Sequence, residues 1–284
     1  MSDLNVRIAA LRVHPVKSCA GIAVDEALVI ETGLEFDRAW MLVDADGRFV
    51  SQRELPRMAL VRPTLRNSDM VLRAPGMLAL HIALDTVEEP VRVTVWNDEV
   101  AAYDMGPLAA QWFTDFLGTP LRMVRFDPEH KRLSSRQWTG DIEAETAFAD
   151  AFALLVASNA GLEELNRRLI EAGEAPVGME RFRPNLVLDG LDANGEDHLD
   201  EIRFDTEDGP VRIKLVKPCV RCPIPDVDPA TAETGHIVRD TLAAYRADAR
   251  MDGGITFGMN AVIVEGIDRA LRVGMTGEAT YRFD

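Results

Sequence analysis

A chain of 284 residues holds one large or two modest domains, and its 47% apolar content with a mean hydropathy of −0.06 is that of a folded globule rather than a disordered segment. Its 31 Lys and Arg against 47 Asp and Glu leave a net charge of −16, which excludes a broad nucleic-acid-binding surface because phosphate neutralisation dominates such affinity. Any anionic ligand therefore needs a local basic pocket. The segment Met1–Arg7 lacks the basic and apolar regions of a secretory leader, and no apolar run reaches about 18 residues, so a cytoplasmic protein with no membrane partner is expected. Three cysteines, an odd number, favour reduced thiols over a disulfide framework.

Residues 6–13 alternate as a strand and lead into His14-Pro15-Val16-Lys17-Ser18-Cys19, a connection that offers a cation and a hydroxyl to a ligand or is a solvated turn. A strand at 27–30 follows. Then Phe36-Asp37-Arg38-Ala39-Trp40 runs into a hairpin around Asp46-Gly47, between Leu42-Val43 and Phe49-Val50, and Asp37-Arg38 reads equally as a surface ion pair. Short strands at 70–72, 78–82, 91–95 and 99–103 indicate a barrel or sandwich. Leu108, Trp112, Phe113, Phe116 and Leu117 predict an amphipathic helix over 107–117, with its apolar face in the core. The polar stretch 127–145 reads as a loop.

An apolar strand over 152–157 ends at Ser158, an N-cap for a helix carrying Leu162, Leu165, Leu169 and Ile170; the same helix end would suit a phosphate. Arg181-Phe182-Arg183-Pro184-Asn185, just before a strand at 186–190, is a candidate anion clamp or a charged loop. Val211, Ile213 and Leu215 form a half-buried strand that Pro218 is expected to stop, a helix is predicted over 238–250, and strands at 261–265, 271–273 and 278–283 complete the chain.

Two thiols flank an arginine in Cys219-Val220-Arg221-Cys222, at that strand exit. A thiolate is a soft metal ligand, and a neighbouring guanidinium lowers the cost of forming it. Spacing alone leaves four readings open: structural zinc, a dithiol redox pair, inert strand-end cysteines, or a single-thiolate cofactor site.

Four separated stretches then carry a resemblance: Pro15–Cys19, Phe36–Trp40, Phe182–Asn185, and Cys219–Cys222 followed by Val227-Asp228-Pro229. In this order the chain resembles MOSC-domain proteins with an N-terminal MOSC β-barrel domain, the group of the mitochondrial amidoxime-reducing components and their bacterial relatives. The resemblance implies a mostly β chain with some α: an N-terminal β-barrel-like domain over residues 1–124, then a β-barrel MOSC domain with peripheral helices over 125–284. It implies the molybdenum cofactor in its molybdopterin form, with no requirement for pyridoxal phosphate. Cys222 maps onto the metal ligand and Cys219 onto a bystander. Lys17, Ser18, Arg38, Ser158, Arg183, Asn185 and Arg221 map onto cofactor contacts. The terminal phosphate of such a cofactor suits that basic set in an otherwise acidic protein.

The implied reaction is reduction of small N-hydroxylated substrates such as hydroxylamines and amidoximes, with Asp226 or Asp228 as proton-delivering candidates that read otherwise as turn acids. Pro223-Ile224-Pro225-Asp226 and the long stretch 228–235 depart from the family pattern on the expected substrate side. A [2Fe–2S] domain needs four cysteines and none follows Cys222, so electrons are expected from a separate ferredoxin- or cytochrome-type protein with its reductase. The alternatives are a carrier or sulfur-handling protein for the same cofactor without turnover of its own, and a cofactor-free barrel with structural cysteines.

Overall fold

A computed structural model describes residues 2–86 and 89–282. Within them seven strands close a barrel: β1 (Leu4–Val13), β2 (Leu154–Ser158), β3 (Leu186–Asp189), β4 (Leu199–Thr206), β5 (Gly209–Val220), β6 (Gly254–Glu265) and β7 (Thr276–Tyr281). Around it the order is β2-β3-β1-β7-β4-β5-β6, and β6 pairs back onto β2. Only β2 and β3 run parallel.

Period-two patterning explains which face fills the barrel. In β4, Ile202 and Phe204 are buried between outward Arg203 and Asp205. In β1 the inward residues are Val6 and Ile8, then Leu11 and Val13; the phase changes because a bulge between Ile8 and Ala10 inserts one residue against β3. Since β1 pairs with both β3 and β7, the expected break at residues 124 and 125 does not separate two independent sheets.

Among the described residues Ile22–Val24 pairs with β1, Glu26–Ile30 and Gly33–Leu34 form a small sheet with Ala270–Arg272, and the other N-terminal strands form two further sheets. One has the order Trp40–Val43, Arg122–Phe126, Asp98–Asp104 and Pro90–Val95; the other joins Arg62–Leu65, Asp69–Arg73 and Leu80–Ala83. The helix Gly106–Leu117 packs Trp112, Phe113 and Phe116 into the core shared with Trp40, Met70 and Leu72, and Gly118 ends it in the left-handed region. Leu108 is 71% exposed, because the buried stripe runs through Ala109 instead.

Several local expectations change. Pro218 does not stop its strand: β5 continues to Val220, with bulges on either side of the Pro218–Met259 pair, and bulges tolerate the missing N–H. The second arm of the Asp46-Gly47 hairpin is reduced to a bridge between Val43 and Phe49. The last helix spans only Ile237–Ala243, because Ala247–Asp248 pairs with β6. The polar stretch 127–145 holds a one-turn helix, Arg136–Thr139, and is pinned by buried Arg132, which donates to the carbonyls of Ala147, Ala149 and Asp150. The final strand ends at Tyr281, and Phe283 lies outside the described residues. Among the described residues no helix is long and apolar enough to cross a membrane.

Barrel closure depends on one glycine. Gly258 in β6 has φ +76°, and a Cβ there would lie 2.7 Å from the Val156 carbonyl oxygen of β2. Gly258→Ala is expected to destabilise by about 2 kcal/mol or more in urea unfolding; wild-type stability would contradict the closed β2–β6 seam.

Candidate functional site

The turn after β1 is stitched to the segment before Trp40: Lys17 N donates to Trp40 O at 2.7 Å, Trp40 N to Pro15 O at 3.0 Å, and Arg38 N to His14 O at 2.9 Å. Four residues of this seam sit on left-handed backbone, Ser18 (φ 67°), Phe36 (φ 64°), Arg38 (φ 48°) and Arg183 (φ 60°). Such conformations cost energy in non-glycine residues and persist where surrounding contacts enforce them.

Those contacts converge on Arg38. Its Nη1 donates to Asp37 Oδ2 at 2.5 Å and Asn185 Oδ1 at 3.0 Å, and its Nη2 to the Arg183 carbonyl at 3.0 Å. Asn185 is fully buried; its Oδ1 also accepts from Leu155 N, and its Nδ2 donates to Arg12 O. Asp37 accepts from His14 N at 2.7 Å. Burial works to raise the Asp37 pKa, but Arg38 and His14 together outweigh it and hold the carboxyl at about 2. Burial, with Arg38 and Arg183 beside it, pushes His14 well below the ordinary imidazole range and keeps it neutral.

Around this frame Lys17, Ser18, Arg38, Arg53, Arg183, Arg221, Cys219 and Cys222 line one cleft between the two halves. Lys17 Nζ donates to Phe148 O at 2.7 Å and to Asp150 at 2.5 Å, and burial still leaves its pKa below the ordinary lysine value. Burial, then Arg38, lower Arg183 to about 10, although Asp37 and Asp150 act in the opposite direction. Arg183 Nη1 donates to Cys19 O, while Arg183 Nη2 and Arg221 Nε are buried without a hydrogen-bond partner among the described residues.

The two thiols are not equivalent. Arg221 Nη1 lies 3.1 Å from Cys219 Sγ, and its Nη2 donates to Phe182 O, so the arginine next to Cys222 in sequence serves the other cysteine. Arg53 lines the same cleft as Cys222 and lies 3.4 Å from Asp150; burial acts to lower its pKa, but charge interactions with Cys222 and then Asp150 hold it above the ordinary value. Arg53 also lies 5.0 Å from the Trp96 ring centroid. Among the described residues no cluster of three or more His, Cys, Asp or Glu side chains is placed to hold a metal, so the pair lacks the further ligands of a structural zinc site.

Two family models match the chain: the MOSC N-terminal beta barrel domain over residues 5–120, and the MOSC domain over 143–276. The chain belongs to the MOSC-domain family. Among its relatives are human mitochondrial amidoxime reducing component 2, 36% identical over 84% of this chain and 72% of that protein, and human mitochondrial amidoxime-reducing component 1, 34% identical over the same shares. The crystal structure of the YUAD protein from Bacillus subtilis aligns over 99% of this chain and 98% of its own at a TM-score of 0.45 and 11% identity.

In this MOSC protein six of the seven expected cofactor contacts share the cleft with Cys222: Lys17, Ser18, Arg38, Arg183, Asn185 and Arg221. Ser158 does not line it. Its hydroxyl donates to Glu196 at 2.6 Å and accepts from Gly161 N at 3.1 Å, which exhausts it as a buried N-cap. Asp226 and Asp228 also lie outside that cleft's lining. Asp226 is buried and accepts from Arg239 N, and burial raises its pKa; Asp228 accepts from Ala230 N and pairs with Arg181 at 2.8 Å. Both are turn acids. Arg53, Asp150 and Asn260 join the site without having been expected, because each stands alone in its stretch with no spacing signal.

Asp37 should report on the seam. Its pKa is depressed on folding, so its stabilisation is present above about pH 4 and is lost as pH falls towards 2. Asp37→Asn is expected to lower stability at pH 7 by about 2 kcal/mol, with the gap to wild type narrowing between pH 4 and 2. A gap constant down to pH 2 would show that the charge on Asp37 is not what matters.

Proposed function

We propose that this MOSC protein is a molybdenum-cofactor-dependent oxidoreductase that reduces N-hydroxylated compounds such as hydroxylamines and amidoximes, with Cys222 as the protein ligand of the metal. One observation carries the reading: in a chain of net charge −16, Cys222 faces a cleft with Lys17, Arg38, Arg53, Arg183 and Arg221 on its walls. Two of those guanidinium groups hold buried N–H donors with no protein acceptor. An anionic pterin bearing a phosphate is the kind of group such donors fit. The names of the relatives point to the same chemistry.

Each residue has a role in that reading. Lys17, Arg38, Arg183 and Arg221 compensate the cofactor's negative charge, Ser18 and Asn185 orient it by hydrogen bonding, and Arg53 stabilises the Cys222 thiolate. When bound, the cofactor would supply a two-electron redox centre beside Cys222. The net change is cleavage of the N–OH bond, consumption of two electrons and two protons, and formation of N–H and water.

Asp150 is no proton donor here. Its side chain is half exposed and the desolvation it does suffer works to raise its pKa, but Lys17 and Arg53 drive it below the ordinary carboxylate range, so it stays ionised and positions the two cations. With Asp226 and Asp228 in turns, protons come from solvent at the cleft mouth, where Asp150 is 55% exposed. Electrons are supplied in this reading by a ferredoxin- or cytochrome-type protein, and the word component in the names of the relatives supports a divided system.

Protein from a cofactor-competent host should contain molybdenum and pterin, and reduce a panel of amidoximes with a chemical reductant. Cys222→Ser is expected to abolish turnover, whereas Cys219→Ser should retain metal and activity. Equal activity of Cys222→Ser and wild type would sink the ligand assignment; bound cofactor with no turnover on any substrate would favour the carrier reading.

A further inference from the structure

A second cleft of about 600 Å³ adjoins the first, and the two share Arg183 and Ile224. By the same measure the cysteine-bearing cleft is about 120 Å³. Pockets that enclose drug-sized ligands run to roughly 300–1,000 Å³, so the narrow cleft suits only one end of such a molecule. The wider one has room for the rest.

Its walls are basic. Arg12, Arg62, Arg181 and Arg183 line it against one carboxylate, the exposed Glu180. Arg181 is neutralised by Asp228 at 2.8 Å, but Arg12, Arg62 and Arg183 have no carboxylate within ion-pair reach among the described residues. Acids outnumber bases 47 to 31 in this chain, so three guanidinium groups without counter-ions on one groove are a departure from its general surface. Two of them hold buried donors without acceptors, Arg12 Nε and Arg183 Nη2. An oxyanion in the groove would supply the counter-charge that these guanidinium groups lack.

We propose that the groove beyond Arg183 is an oxyanion site, formed by Arg12, Arg62 and Arg183, that receives a phosphate or carboxylate group of a ligand whose other end lies in the Cys222 cleft. The oxyanion is the anionic tail of an N-hydroxylated substrate, since the basic residues of the Cys222 cleft already face the cofactor. The identity of that ligand rests on the reductase reading; the site itself does not. Val227, Pro229 and Ala230, from the stretch that departs from the family pattern, form the opposite wall and limit what fits beside the anion.

The test uses the full chain with Arg12→Gln, Arg62→Gln and the double variant. Arg12 belongs to β1 and its replacement can disturb the barrel, but Arg62 is exposed on a peripheral strand and Arg62→Gln should unfold like wild type. Calorimetric titration with AMP and inorganic phosphate should show binding roughly tenfold or more weaker for each arginine removed, the size of a lost charge-assisted hydrogen bond. On cofactor-loaded protein the variants should keep molybdenum and pterin, and loss of pterin from Arg62→Gln would overturn the assignment of the groove to substrate. Retained cofactor, with a raised KM for 4-carboxybenzamidoxime and an unchanged KM for benzamidoxime, identifies the substrate.

If the reductase reading fails, the AMP and phosphate titrations still decide whether the site exists. Equal anion binding by wild type and Arg62→Gln, together with unchanged cofactor content and unchanged KM for both amidoximes, would overturn the proposal.

Discussion

The arrangement depends on a single buried guanidinium. Arg38, from the N-terminal half, is held by Asp37 on its own loop and by Asn185 and the Arg183 carbonyl from the other half. A buried cation is costly unless its donors find acceptors, and these acceptors lie in two segments that are 145 or more residues apart. Satisfying Arg38 therefore forces the loop after β1 and the entry to β3 into one wall. Lys17, Ser18 and Arg183 come to the cleft as a consequence of that constraint.

The backbone bears the strain of it. Ser18, Arg38 and Arg183 occupy left-handed conformations, and Pro184 disfavours a helical backbone at Arg183 as well. The barrel tolerates these positions because it is closed elsewhere: β1 is held on both edges, by β3 and β7. A rigid seven-strand frame can hold cations together at an energy cost that separate loops could not sustain.

Charge follows the same logic on a larger scale. The chain carries a net −16, yet its two adjoining clefts concentrate guanidinium groups, several without carboxylate partners among the described residues. Such a contrast focuses field into the seam and draws anions to it. Arg53 and Arg221 divide the two thiols between them, so a motif symmetric in sequence becomes asymmetric in space.

Much of this was legible in the residues themselves. Alternation in Val211, Ile213 and Leu215 and in the apolar run before Ser158 marked barrel staves, and the Trp112, Phe113 and Phe116 stripe marked a core helix, because the period of apolar residues reflects which face must leave water. Four short stretches in order marked the family and most of the cleft. Tertiary contacts decided the rest. Pro218 stays in its strand because bulges absorb its missing N–H, and the last helix stops early because Ala247–Asp248 pairs with β6. Ser158 is exhausted by Glu196 and Gly161; Asp226 and Asp228 are taken by their own turns and neighbouring arginines. Arg53 and Asp150 reach Cys222 and Lys17 only through the fold, since a hydrogen bond between residues 133 positions apart leaves no periodic trace in sequence.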